Sequence, residues 1–210
     1  MAWLSDSELH MLFNGMQHVK NKHVLRCAFN DCGRDSMKFA SSFDCLIPTC
    51  MSVLLPTFGG VFPSDQLPQH QTQPVTYIFN SDPSHQPGEH WMAYSQEDGC
   101  CDFYDSYGMP PDRYPAIHSW LTQAPFKVNH MTRRIQGPSA VCGAYCFYFL
   151  KERPWHSSME YLIFQNPTFP FQSIAWNDQM SDLQLKTYLG LNDAYVFAYL
   201  YEYVQQILHK

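Results

Sequence analysis

No apolar run in this chain of 210 residues approaches the ~20 needed to span a bilayer. The opening Met1-Ala-Trp-Leu-Ser-Asp-Ser-Glu8 also lacks the basic region and apolar core of a secretory signal. A soluble protein, made in a reducing compartment and with no membrane partner, is the expectation. Charge is sparse and leans acidic: 13 Lys and Arg stand against 19 Asp and Glu, a formal net charge of −6. That excludes wrapping nucleic acid with the whole surface. Five of the basic residues, Lys20, Lys22, Arg26, Arg34 and Lys38, do cluster near the N-terminus, where a solvated helix face and loop is the preferred reading over a nucleic-acid patch. Internal repeats, low-complexity tracts and an interdomain linker are missing as well. The length suits one well-packed domain, residues 1–210, and is short for two.

What is present is apolar and aromatic: 45% hydrophobic residues, 16% Phe, Trp and Tyr, far from a disordered composition. Eight cysteines stand at 27, 32, 45, 50, 100, 101, 142 and 146. Without a secretory signal they read as free thiols. Cys27/Cys32 and Cys45/Cys50 form two C-x4-C pairs near His23, at the permissive edge of the two to four residues usual between zinc ligands; free thiols are preferred over a zinc-binding interaction protein, and no metal site is assigned. Cys100 and Cys101 are adjacent and cannot easily bridge each other. Cys146 lies one helical turn beyond Cys142, where inward packing is the ordinary explanation.

Ser5-Asp-Ser-Glu8 has the form of a capping box, with Leu9, Leu12, Phe13 and Met16 at helical spacing behind it. Residues 44–55 are apolar but broken by Pro48 and closed by Pro56, and Pro63, Pro68 and Pro74 mark an irregular stretch. Pro74-Val-Thr-Tyr-Ile-Phe-Asn80 has strand content. Trp91-Met-Ala-Tyr94 starts a second strand, Glu97-Asp98-Gly99 turns a hairpin, and Cys101-Asp-Phe-Tyr104 makes a third. A helix over 113–122, a strand over 127–131, a helix over 141–152 stopped before Pro154, an irregular 155–180 and a Tyr-rich helix over 194–208 complete the pattern. That order predicts an α+β domain.

Chemistry concentrates in Gln136-Gly-Pro-Ser-Ala-Val-Cys142-Gly143 and, upstream, Glu89-His90-Trp91 and Tyr104-Asp105-Ser-Tyr-Gly108. Cys142 falls at a helix start, where the helix dipole and unpaired N–H groups favour a thiolate. His90 begins one strand and Asp105 ends its hairpin partner, so both reach one end of the same sheet. Cys142 is thus the candidate nucleophile, His90 the base and Asp105 the residue that orients the imidazole. Gln136 is a candidate oxyanion donor beside the Cys142 N–H, and Gly143 keeps the helix start open to substrate. Singly, each has a plainer reading: packing for the Cys, a structural hydrogen bond for the His, a turn for the Asp. Their order and spacing together carry the assignment.

In combination these segments resemble the adenain family, the cysteine proteases of adenoviruses and related virus-like elements. The likeness runs through Gly88-Glu-His90-Trp91-Met-Ala-Tyr94, Phe103-Tyr-Asp105-Ser-Tyr-Gly108 and Ile135-Gln136-Gly-Pro-Ser-Ala-Val-Cys142-Gly143. Phe58-Gly-Gly-Val-Phe62 and Asp65-Gln-Leu67 also resemble the family's approach to its first core strand, so the likeness covers roughly residues 55–152. It implies a cysteine-protease-like fold: a central mixed sheet flanked by helices, the nucleophile opening a buried helix. It also implies a catalytic His90, Asp105 and Cys142, a Gln136 oxyanion donor, and a narrow cleft walled by Trp91 that admits Gly next to the cut. The implied activity is a viral maturation protease acting on virion precursors in the host nucleus and the virion. The sequence departs from that pattern at several points. Adenoviral enzymes carry Glu where Asp105 stands, and their Gln-to-Cys gap is one residue longer. The related SUMO- and ubiquitin-like-specific proteases share both features of this chain, which keeps an isopeptidase acting on ubiquitin-like conjugates in view. An inactive protease-like binding module is the third reading, opposed by the intact Cys, His, Asp and Gln. No cofactor is required for the chemistry. The adenoviral peptide activator joins through a Cys between carboxylate and nucleophile, and none occurs from Ser106 to Val141. Stimulation by DNA goes with a basic enzyme, unlike this acidic chain.

Overall fold

Val75–Asn80 is buried at every position, and its side chains alternate between two separate cores, as the two-residue period of a strand requires. Val75, Tyr77 and Phe79 enter one core with Met92, Tyr94, Cys101, Phe103, Ile117 and Trp120. Ile78 enters the other with Ala93, Tyr104, Tyr145 and Phe149. The strand is therefore the middle of a sheet covered on both faces. The computed structural model in which this is seen describes residues 55–86, 88–97, 99–138 and 141–153, together with 189, 190, 192–196, 198–200, 202 and 203. The capping box, the paired cysteines 27, 32, 45 and 50, the basic cluster and the 155–180 stretch lie outside the described residues.

Five strands form the sheet: β1 (Phe58–Phe62), β2 (Val75–Asn80), β3 (Trp91–Glu97), β4 (Cys100–Tyr104) and β5 (Val128–His130), in spatial order β1-β2-β3-β4-β5. The β2–β3–β4 meander is antiparallel, while β1 runs parallel to β2 and β5 parallel to β4. A 3-10 turn (Pro111–Arg113) leads into helix α1 (Pro115–Leu121), which covers one face through Ile117, Trp120 and Leu121. Helix α2 (Cys142–Glu152) covers the other. The result is a mixed sheet with helices on both faces, an α+β arrangement, as expected.

Two boundaries differ from expectation. No strand was expected from the residue pattern over 56–62, yet Phe58–Phe62 pairs with β2. Pro56, Pro63 and two glycines conceal the strand, since glycine weakens strand patterns. Gly59 is there for space: a Cβ on it would lie 2.4 Å from Cε1 of Tyr77. Toward the C-terminus, helical backbone is already present at Leu189 and Gly190, ahead of the expected start at 194.

Helix α2 is apolar nearly all round, the mark of a helix enclosed by its neighbours. Cys142, Ala144, Tyr145, Cys146 and every residue through Leu150 are buried. Phe149 lies flat on Tyr104 of β4, centroids 4.5 Å apart and planes 1° off parallel. On its outer side Tyr148 meets Tyr199 edge-on at 5.0 Å. At its far end Arg153 Nε donates to Asp102 Oδ2 of β4 at 2.5 Å. Stacking in the middle and an ion pair at the end fix the helix on the sheet, and so fix where its first residue points.

Candidate active site

Cys142 opens α2, and its N-cap residue is Val141, which has no side-chain oxygen to cap the helix. The first N–H groups of the helix thus lie beside the sulfur, where they favour negative charge. Among the described residues four cysteines are free thiols. Burial pushes the thiols of Cys100, Cys101 and Cys146 up, Cys146 most of all. Iodoacetamide at low dose should therefore label Cys142 before Cys100, Cys101 and Cys146, because the thiolate is the reactive form. Peptide mapping that finds Cys101 or Cys146 modified while Cys142 is intact would reverse the assignment.

His90 immediately precedes β3, and its backbone is held from both sides by Ser81. The Ser81 N–H donates to the His90 carbonyl at 2.9 Å, and the His90 N–H donates to Ser81 Oγ at 3.2 Å. The residue is 7% exposed. Nε2 donates to Asp105 Oδ1 at 2.8 Å, which leaves Nδ1 for the nucleophile. Nδ1 is buried without a hydrogen-bond partner among the described residues, yet the Cys142 sulfur lies close enough to act on the ring. A base–nucleophile contact a little out of line is common before substrate is bound. Burial by itself lowers the imidazole pKa. The Asp105 hydrogen bond, the nearby Cys142 and the charge of Asp105 outweigh it and raise the pKa from 6.5 to about 9. The site thus favours the charged form of the His90 ring.

Asp105 follows β4 and is 1% exposed. It is stabilised as a carboxylate by three donors: His90 Nε2 and the Tyr107 N–H on Oδ1, the latter at 2.7 Å, and Tyr114 Oη on Oδ2 at 2.7 Å. The same bond, after burial, raises the Tyr114 phenol pKa, so that this hydroxyl keeps its proton. The turn that sets Asp105 ends at Gly108, whose N–H bonds the Asp105 carbonyl at 2.9 Å. Gly108 has φ +67°, and a Cβ there would stand 2.4 Å from the Arg133 carbonyl carbon, so glycine is required twice over.

Gln136 is wholly buried. Ser106 Oγ donates to its Oε1 at 2.5 Å, and its Nε2 donates to Tyr107 Oη at 3.2 Å. Its backbone is pinned too: the Ile135 and Gln136 N–H groups share the Ser106 carbonyl, and Arg134 Nε donates to the Gln136 carbonyl at 2.8 Å. Next along, the Gly137 N–H donates to Asp193 Oδ1 at 2.8 Å, and Asn192 Nδ2 donates to the Ile135 carbonyl at 2.9 Å. Glycine at 137 leaves room for this clamp, since a Cβ would sit 2.5 Å from Asp193 Oδ2.

The structure therefore gathers His90, Asp105 and Cys142, with Gln136 joined to them through Ser106 and Tyr107. Gly143 is half-buried beside the nucleophile. Trp91 is partly buried, packed against the core that contains α2. Ser106, Tyr107, Tyr114, Asn192 and Asp193 were not anticipated from sequence. Tyr107 had a readable signal: extending the β3–β4 register three residues beyond the Ala93–Tyr104 pair sets position 107 across from His90. Among the described residues no group of three or more His, Cys, Asp or Glu side chains could hold a metal ion, and no helix is long and apolar enough to cross a membrane.

No family model matches the chain, and no curated protein matches it. A solved structure of AvrA delL154 with IP6 and CoA is similar at 12% identity and a TM-score of 0.42, over 78% of this chain and 64% of that one. The chain thus spans less than two thirds of that protein's length. Likeness at this level identifies no family.

Proposed function

We propose that this chain is a cysteine endopeptidase cutting after Gly-containing motifs, a viral maturation protease whose substrates are virion precursor proteins in the host nucleus and the virion. The observation that carries the hydrolase reading is the Asp105–His90 hydrogen bond on a buried ring that Cys142 is near enough to influence. Cys142 Sγ attacks the carbonyl carbon, an S–C bond forms, and the carbonyl electron pair moves onto oxygen. As the tetrahedral species collapses, His90 gives its Nδ1 proton to the leaving amine and the C–N bond breaks. Water then attacks the thioester, with His90 taking its proton, and the Cys142 thiolate leaves. Asp105 holds the ring so that Nδ1 faces the sulfur in both half-reactions.

A second reading, an isopeptidase for ubiquitin-like conjugates, is favoured by the aspartate at 105 and the six-residue step from Gln136 to Cys142. The two readings differ in what they need from substrate. A virion protease cleaves a short peptide of the type apolar-x-Gly-Gly, whereas an isopeptidase requires the folded ubiquitin-like domain. We expect kcat/KM for the tetrapeptide to lie within about a thousandfold of that for a ubiquitin-like fusion with the same C-terminus. A larger gap, above roughly 4 kcal/mol of transition-state binding, moves the assignment to the isopeptidase. Hydrolysis of neither substrate rejects both.

A further inference from the structure

Tyr107 contacts three members of the His90, Asp105, Cys142 and Gln136 set: His90, Asp105 and Gln136. Its ring stacks on His90 with centroids 4.7 Å apart, and its N–H donates to Asp105. Its hydroxyl accepts from Gln136 Nε2. We propose that the Tyr107 hydroxyl is itself an oxyanion donor, standing between the buried Gln136 amide and the tetrahedral intermediate formed on Cys142. This rests on the thiol-hydrolase reading given above.

Exposure separates the two polar groups. Gln136 is 0% exposed, while Tyr107 is partly open, so of the pair Tyr107 is the one a bound substrate can reach. Its position is fixed: His90 lies against the ring, and the Arg134 guanidinium sits over the ring at 5.1 Å from the centroid. A donor fixed in advance loses little freedom when the oxyanion forms. The hydroxyl also has a proton to give. Accepting a hydrogen bond uses a lone pair and leaves the O–H in place. It also polarises that O–H, because hydrogen bonds in a chain strengthen one another. Ser106 Oγ, by donating to Oε1 of Gln136, turns the amide so that its nitrogen faces Tyr107. Burial, and next the negative charge of Cys142, raise the Tyr107 phenol pKa. That keeps the hydroxyl protonated.

The test uses acetyl-Leu-Ala-Gly-glycinal, an aldehyde to which the Cys142 thiol adds reversibly. An S–C bond forms, the thiol proton ends on the former carbonyl oxygen, and nothing leaves. The hemithioacetal places that oxygen where the oxyanion would be. Affinity for this probe is measured in the wild type and in Tyr107→Phe, which keeps the stacked ring and removes the hydroxyl. The rate of Cys142 alkylation by iodoacetamide is measured in both, because that step builds no oxyanion. The ratio of hemithioacetal affinity to alkylation rate should fall about tenfold to hundredfold in the variant, the loss of one hydrogen bond to a charged or strongly polar oxygen. An unchanged ratio overturns the role of Tyr107 while leaving the hydrolase reading intact. Equal falls in affinity and alkylation also overturn it, since the hydroxyl would then act on the Cys142–His90 pair. A wild type that binds no glycinal overturns the hydrolase reading and this inference together.

Discussion

Alanine at His90 should lower kcat for peptide hydrolysis by roughly a thousandfold to ten-thousandfold, and alanine at Cys142 should abolish it. The His90 loss combines two jobs in one ring. Nε2 is occupied by Asp105 at 2.8 Å, so Nδ1 is the nitrogen that can both pair with the thiolate and protonate the leaving amine. Removing the ring also leaves the Asp105 carboxylate without one of its three donors, so each variant needs a thermal melt beside its kinetics. A folded His90→Ala that retains a tenth of wild-type kcat would end the assignment of His90 as base. A folded Cys142→Ala with measurable turnover would end that of the nucleophile.

Asp105→Asn should cost roughly tenfold to a hundredfold in kcat/KM, less than His90→Ala, and should change the pH profile in a defined direction. The folded protein raises the His90 pKa from 6.5 to about 9, so between those values the native state holds a proton that the unfolded chain has released. The stabilisation from this charged ring is fully present below about 6.5 and lost as pH rises through about 9. Activity that depends on the imidazolium–thiolate pair should fall over the same alkaline limb, with its midpoint near 9. Asparagine removes the carboxylate charge, so in the variant that midpoint should move to lower pH and the decline in melting temperature from pH 6.5 to 9 should flatten. Identical alkaline limbs in wild type and Asp105→Asn would show that Asp105 does not set the charge state of His90.

The residues that sequence reading found were those with strong local context. His90 and Asp105 flank two adjacent strands with a short turn between them, so hairpin geometry alone brings them together. Cys142 opens an apolar helix whose burial its composition announces. What went unread is non-local or concealed. The Ser106 and Tyr107 bonds to Gln136 span about thirty residues, and a hydroxyl facing an amide leaves no periodic trace. Asn192 and Asp193 look like ordinary polar residues near a helix start, and they acquire a role when the chain returns to Ile135 and Gly137 from 57 and 56 positions away. Strand β1 was missed because Gly59, needed for its approach to Tyr77, and Gly60, at φ +130°, dilute the alternation that marks a strand.

The Asp193 clamp has a consequence for the timing of activity during synthesis. Cys142, His90 and Asp105 have all been made when the ribosome passes the first half of α2, but the segment carrying Gln136 is tied down by Asn192 and Asp193. At about 5–20 residues per second, the further chain from Cys142 to Asp193 takes roughly 3–10 seconds to add. Through that interval the growing polypeptide carries Cys142, His90 and Asp105 but lacks the brace for the segment that holds Gln136. On the peptidase reading proposed above, activity that depends on this brace would be withheld from the nascent chain until Asp193 has been added and docked.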